Sequence, residues 1–208
     1  MTRAPGLYAV ILAAGESTRM GTDKALLPWP PAGAGSSPAG QTFLSAAIRA
    51  LEPFSEKVIV VAGENEPTLA PVVYASGASL VRNPEPDRGQ FSSLQVGLQQ
   101  VLSDGRDAAI VTLVDRPPVK ASTLKALYSA FTVAASHVWA VVPEYNGKHG
   151  HPFLLAREMI EAFLKAPASA TAREIEHQNL PHVQYVVVDD PLVTLNVDTP
   201  DEYAALSR

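Results

Sequence analysis

Residues 12–28, LAAGESTRMGTDKALLP, leave a short apolar run through small residues and then set Arg19 and Lys24 five positions apart. Leu12, Ala13, Ala14 and Gly15 offer backbone that a ligand can approach closely, and amides exposed after a strand attract anions. Arg19 supplies a planar fork of donors and Lys24 a mobile point charge. Together they could neutralise a triphosphate; the competing reading is a surface loop whose cations are simply solvated. Two known phosphate signatures fail here. There is no G-x-G-x-x-G, and Gly15 and Gly21 are separated by five residues, not four, with Thr22 rather than Lys after the second glycine.

The acids divide by context. Asp115 closes the apolar run IVTLV, where a carboxylate has little structural purpose, and Pro117 and Pro118 then fix the chain as it leaves. Asp198 precedes Thr199, Pro200 and Glu202, a capping box that predicts a helix start. The electrostatics of that start already favour an acid, so Asp198 has a structural reading beside a functional one. Asp189 and Asp190 before Pro191 read as a turn, and Asp23 and Asp87 as solvated loop residues. His149 and His151 are one residue apart, but no third ligand is spaced to complete a metal site with them. Ser92 and Ser93 open a helix, either as N-caps or as donors to a ligand.

These residues must be positioned by a scaffold. Runs at 8–13, 57–62, 79–82, 108–114, 138–142 and 183–188 read as short buried strands rich in Val and Ile. Between them, Phe43, Leu44, Ala47, Ile48 and Leu51 share one helical face, as do Leu94, Leu98, Val101 and Leu102, and then Leu124, Leu127, Tyr128 and Phe131. Strand and helix alternating in this way predict an α/β fold, a mostly parallel sheet with helices on both faces. Ligands of such sheets sit beyond the carboxyl ends of the strands. That rule singles out the residues just after Ala13 and those just after Val114.

The 208 residues are expected to form one domain, 1–208. A net charge of −5 argues against a nucleic-acid binder that neutralises phosphates with a broad basic surface. The absence of cysteine excludes disulfides, thiolate metal sites and thiol nucleophiles, and fits a cytoplasmic location. The apolar stretch at 7–14 is too short to span a bilayer, so no membrane partner is expected. Residues 30–40, PPAGAGSSPAG, form a low-complexity insertion in the first crossover.

Leu12 to Lys24 resembles the L-A-A-G-x-S-x-R-M-G-x-x-K motif of the MobA-like NTP transferases, nucleotidyltransferases of Rossmann-like, GT-A-type fold. Ala14 and the LLPW at residues 26–29 resemble the molybdenum cofactor cytidylyltransferase branch more than the guanylyltransferase one. NPEPDRGQFSSLQVGL from Asn83, VTLVDRPPV from Val111, HGHPFLL from His149 and LNVDTPDEY from Leu195 resemble further family segments, in the family's order. The resemblance implies transfer of CMP from CTP to the terminal phosphate of a pterin-type acceptor, with release of pyrophosphate. It implies Mg²⁺ on Asp115 with Asp198 as second ligand, and Arg19 and Lys24 on the triphosphate. Leu12–Gly15, Asn83, Ser92 and Ser93 would then contact the nucleotide, and Gly150 and His151 would shape the acceptor pocket. A molybdoenzyme receiving the product is among the partners implied. The alternatives are a transferase using GTP or another NTP on a different phosphorylated acceptor, and a non-catalytic carrier of the cofactor. Val114 and Arg116 depart from the family, which usually has Gly before the aspartate and Gln or Met after it.

Overall fold

A computed structural model describes residues 6–15, 20–31, 40–167 and 169–206. Its strands are β1 (Leu7–Leu12), β2 (Lys57–Ala62), β3 (Ser79–Arg82), β4 (Ala108–Leu113), β5 (Ala140–Tyr145), β6 (Lys148–His149), β7 (Phe153–Ala156) and β8 (Val183–Val187). They form one sheet in the order β3-β2-β1-β4-β7-β5-β6, with β8 also paired to β5. β3, β2, β1 and β4 run parallel, whereas β7 is antiparallel to both β4 and β5. Every residue of β1 and β4 is buried, as strands covered on both faces must be.

The helices are α1 (Phe43–Leu51), α2 (Glu66–Ala75), α3 (Gln90–Ser103), α4 (Ala121–Val133), α5 (Arg157–Lys165), α6 (Ala172–Gln178) and α7 (Pro200–Ala205). The period-2 alternation of β1 divides the core. Leu7, Ala9 and Ile11 pack with α1, α2 and α4, and Tyr8, Val10 and Leu12 with α3, α5 and α6. Each fully buried Leu or Ile in these layers contributes roughly 1.5–3 kcal/mol by leaving water. A third, smaller cluster of Met20, Phe43 and Val197 is joined by Trp29 and Tyr203 and seats α7. There Trp29 meets Phe43 edge-on at 4.7 Å, and the Tyr203 hydroxyl donates to the Pro28 carbonyl at 2.6 Å.

The α/β alternation expected from periodicity is present, with two local differences. The fifth strand is shifted, running from Ala140 to Tyr145 rather than over 138–142, because its ladder with β8 runs on to Glu144. The second difference is β7, which periodicity does not predict. Four apolar residues sandwiched between two neighbours carry no periodicity of their own, yet this strand reverses the sheet's direction beside β4. Helix α2 likewise escapes a propensity reading because Pro67 and Pro71 lie within it. Pro67 sits in the first turn, where no intrahelical donor is needed.

Asp190 corrects the expectation of a simple turn. It is fully buried, and its carboxylate accepts from the Lys120 amide at 2.8 Å, the Thr123 hydroxyl at 2.7 Å and the Leu192 amide at 3.2 Å. Helix α4 has no side-chain cap of its own at Lys120. Asp190 therefore satisfies the first turn of α4 from 70 residues further along the chain. Asp190→Ala leaves the buried Thr123 hydroxyl and the first turn of α4 without their acceptor and is expected to cost about 1–3 kcal/mol in urea denaturation; a loss below about 0.5 kcal/mol would show that the cap is dispensable.

Candidate functional site

The central register creates the site. Leu12 is paired with Leu113, so the two strands end side by side and their exit loops lie together. The backbone continues the pairing for one step on each side: the Ala13 amide donates to Val61 and the Val114 amide to Leu12. Beyond these bonds the chains diverge and leave a cavity of about 190 Å³, lined by Leu12, Ala14, Gly15, Lys24, Ser93 and Asp115, among others. A Cβ placed on Gly15 would meet nothing within 4 Å among the described residues. The protein therefore leaves open the space where this backbone faces the cavity.

Lys24 begins a short 3-10 turn, Lys24–Leu26, and is 9% exposed. Its ammonium donates to Asp198 Oδ1 at 2.6 Å and lies 3.9 Å from Asp115 Oδ2. Two contacts bring those carboxylates together. The Val197 amide donates to the Asp115 carbonyl at 2.9 Å, and the Phe43–Tyr203 cluster holds α7 immediately beyond. Thr199 and Glu202 form the expected capping box, and Glu202 also accepts from the Asp198 amide. Asn196 donates to Asp198 Oδ2. The capping box thus accounts for the start of α7, while the Asp198 side chain is turned to Lys24 and Asn196.

Burial raises the Asp115 carboxyl above its usual range, with Lys24 and then Arg116 pulling it back down and Asp198 adding to the rise. Asp115 Oδ1 is buried with no hydrogen-bond partner, as is Asn196 Oδ1. Two carboxylates and an unsatisfied oxygen are hard donors of the kind Mg²⁺ takes one or two of, with waters and phosphate oxygens completing the shell. The residues present fit such an ion. Among the described residues no group of three His, Cys, Asp or Glu is placed to hold a metal ion by itself.

The remaining expected residues fall into two groups. Asn83 is buried and donates to the hydroxyls of Ser92 at 2.8 Å and Ser93 at 3.0 Å, while its carbonyl accepts from the Glu85 amide. Asn83 and Ser92 thereby shape the loop before α3, and Ser93 also lines the cavity. Neither serine is the N-cap. That place belongs to Gly89, whose φ of +88° is a left-handed conformation suited to glycine. Gly150 and His151 border a second, larger cavity of about 780 Å³. Gly150 is required there by packing, because a Cβ would lie 1.9 Å from the Val193 carbonyl oxygen. Arg19 lies outside the described residues.

Asn65, Gln90 and Asp23 contribute to the site in ways the sequence does not signal. Asn65 donates to the Ala13 carbonyl and to Asp23 Oδ2, and accepts from the Gly63 amide. Asp23 in turn caps the Lys24 turn through the Ala25 amide, so it is a structural acid rather than a solvated one. Asn65 thus ties the exit of β1 to the turn carrying Lys24. Gln90 borders both cavities and so marks where they meet. Arg116 borders the larger one. An Asn after a strand and a Gln after a glycine are ordinary loop residues in sequence, and no spacing rule would have found them.

Comparison with known proteins agrees with this geometry. The family model of the MobA-like NTP transferase domain matches residues 9–184. The molybdenum cofactor cytidylyltransferase of Escherichia coli is 24% identical over 199 residues, 93% of this chain and 92% of that protein. A probable molybdenum cofactor guanylyltransferase of Rhodopirellula baltica is 32% identical over 134 residues, which span 64% of this chain and 60% of that protein. Rv0371c from Mycobacterium tuberculosis H37Rv superposes with a TM-score of 0.79 at 26% identity, over 98% of each chain. The same protein solved as a complex with manganese gives 0.75 at 24% identity, over 97% of each.

His151 supplies a test of the site's electrostatics. Burial, with Arg116's charge adding to it, pushes its ring down to about 3. Below about pH 6.5 the unfolded chain takes up a proton that the folded ring refuses, so stability is full at neutral pH and falls as the solution is acidified. At about pH 5 the loss is at most about 2 kcal/mol. Urea denaturation at about pH 7.5 and about pH 5 should show this loss in the wild type and its reduction in His151→Gln; equal losses in both would remove His151 as the cause.

Proposed function

We propose that this chain, which belongs to the MobA-like NTP transferase domain family, transfers a nucleotidyl group from CTP to the terminal phosphate of a molybdopterin-type acceptor. Family membership makes it a nucleotidyltransferase; donor and acceptor are the proposal. The observation that carries it is the placement of Lys24 between Asp115 and Asp198, beside the open backbone of Ala14 and Gly15. Cytidylyl transfer is supported by Ala14 and the LLPW at residues 26–29 and by a cytidylyltransferase relative matched over 93% of this chain. Matches to two probable guanylyltransferases, one over 64% and one over 97% of this chain, make GTP the alternative donor.

A phosphate oxygen of the acceptor attacks the α-phosphorus, the bond from that phosphorus to the bridging oxygen of the β-phosphate breaks, and pyrophosphate leaves. The attacking oxygen is already ionised at neutral pH, so no general base is needed. The protein must align the two phosphates and offset the charge that builds up on their oxygens. Ala14 and Gly15 admit the phosphates, Lys24 neutralises them, and Arg19 is expected to join it. Asp115 and Asp198 would hold Mg²⁺, which when bound supplies Lewis-acid charge neutralisation at the phosphate oxygens. The manganese complex of a structural neighbour supports a divalent cation here.

Calorimetric titration with CTP, GTP, ATP and UTP, each with Mg²⁺, should give CTP the highest affinity. Asp115→Ala should weaken that binding at least tenfold and abolish pyrophosphate release while the fold persists. GTP preference would reassign the donor, and no nucleotide binding would overturn the reading.

Lys24 generates a second expectation. Its ammonium stands where a cation would neutralise the two carboxylates. Lys24→Met should therefore bind Mn²⁺ alone several-fold more tightly while binding CTP more weakly. Electron paramagnetic resonance titration of Mn²⁺ reads the first effect directly; an unchanged or lower Mn²⁺ affinity would sink it.

A further inference from the structure

We propose that Arg116, assisted by His151, is the specificity-determining pair that seats the acceptor's anionic phosphate monoester next to the reacting centre. The proposal deepens the transferase reading above and rests on it for the acceptor's role. It begins from a residue that the chemistry of nucleotide binding leaves unused.

Arg116 comes directly after Asp115 and borders the larger cavity. Its Nη1 donates to the Leu195 carbonyl at 3.3 Å, and its Nε is buried with no hydrogen-bond partner. Burial works against its charge, lowering its affinity for the proton, but a guanidinium remains protonated at any working pH. The fold therefore keeps a partly desolvated cation with donor capacity to spare. His151 borders the same cavity. Its amide is committed to the Val193 carbonyl at 2.8 Å, while ring Nδ1 is buried and unpartnered. Arg116 and His151 thus line one cavity together.

Two buried nitrogens without partners, on residues that border one cavity, are costly until a small side-chain shift lets a ligand in that cavity complete them. The guanidinium calls for an anion. A neutral imidazole protonated on Nδ1 adds a second donor to the same oxygen-rich group. The rest of the wall agrees in sign: Lys148 and Arg173 line it with Arg116, against the single acid Glu176. In a chain of net charge −5 that concentration of basic groups focuses an attractive field for anions. Gln90 borders this cavity and the nucleotide cavity alike, and Arg116 is adjacent to Asp115 in the chain. An anion seated at Arg116 is thus delivered to the junction where the phosphates must meet.

A phosphate monoester and a carboxylate share the chemistry that such donors recognise, so both serve as probes. Phenyl phosphate and benzoate are titrated calorimetrically into the full chain saturated with α,β-methylene CTP and Mg²⁺. If no nucleotide binds, the same titrations are run without it, so that failure of the donor assignment is read separately. Phenyl phosphate should bind the wild type more tightly than benzoate. Arg116→Gln should weaken phenyl phosphate at least tenfold while nucleotide affinity stays within twofold. Arg116→Lys should recover part of the loss, and His151→Gln should weaken the probe about threefold. Thermal melts of each variant identify any that fail to fold, in which case Arg116→Lys and His151→Gln carry the test. Equal affinity of Arg116→Gln and wild type for phenyl phosphate would overturn the proposal. So would no probe binding at all, or a parallel fall in nucleotide affinity, which would mark Arg116 as a support for the Leu195 segment only.

Discussion

The ion contact of Lys24 with Asp198, 174 residues apart in sequence, is the interaction on which the rest of the architecture converges. Neither side chain is placed by its own local structure alone. Lys24 is carried by a 3-10 turn that Asp23 caps and Asn65 ties to β1. Asp198 is carried by a segment bonded to the Asp115 carbonyl and secured by α7 against Phe43 and Trp29. Half-buried charges of opposite sign repay their desolvation only when geometry is good and further hydrogen bonds serve them. Here Asn196 supplies one of those bonds to Asp198. The carboxylate pair and the ammonium are mutually necessary: removing either partner strands like charges or a lone cation in a place with little water.

The mechanism is economical for the same reason. A phosphate nucleophile needs no deprotonation, so the proposed reaction asks for no paired acid and base and no hydroxyl poised by a histidine. On the proposed reading the site offers cations instead: Lys24 toward the donor, and Arg116 with Lys148 and Arg173 of the larger cavity toward the acceptor. Two anionic substrates must approach each other against their own repulsion. A protein that is acidic overall concentrates its cations where that repulsion is worst.

Much of this is legible in the sequence because it is written in local signals. Buried parallel strands are continuous Val and Ile runs, and β2 and β3 fall at the expected residues. The capping box at Thr199 is a short local code, and the glycine-led loop after β1 announces close backbone approach. The signals fail where a residue's role is set by something distant. Asp190 looks like a turn acid until Lys120 and Thr123 are seen above it. Ser92 looks like an N-cap until Asn83 is seen to hold it. β7 is four apolar residues whose strand character comes from lying between β4 and β5. Asn65, in a loop, and Gln90, at the start of α3, are polar residues whose value is positional, and position is a property of the fold rather than of the string.

The small aromatic cluster around Phe43 has a consequence in time as well as in space. The parallel core of β1, β2 and β4 pairs Tyr8 with Lys57 and Leu7 with Ala108, 49 and 101 positions apart, whereas the contacts of Trp29 and Phe43 with α7 bridge most of the chain. Loops that long are slow to close and gain little until their ends are packed. The carboxylate pair of the candidate site is thus closed by a contact that spans 174 positions, Lys24 with Asp198, and depends on both ends of the chain being in place.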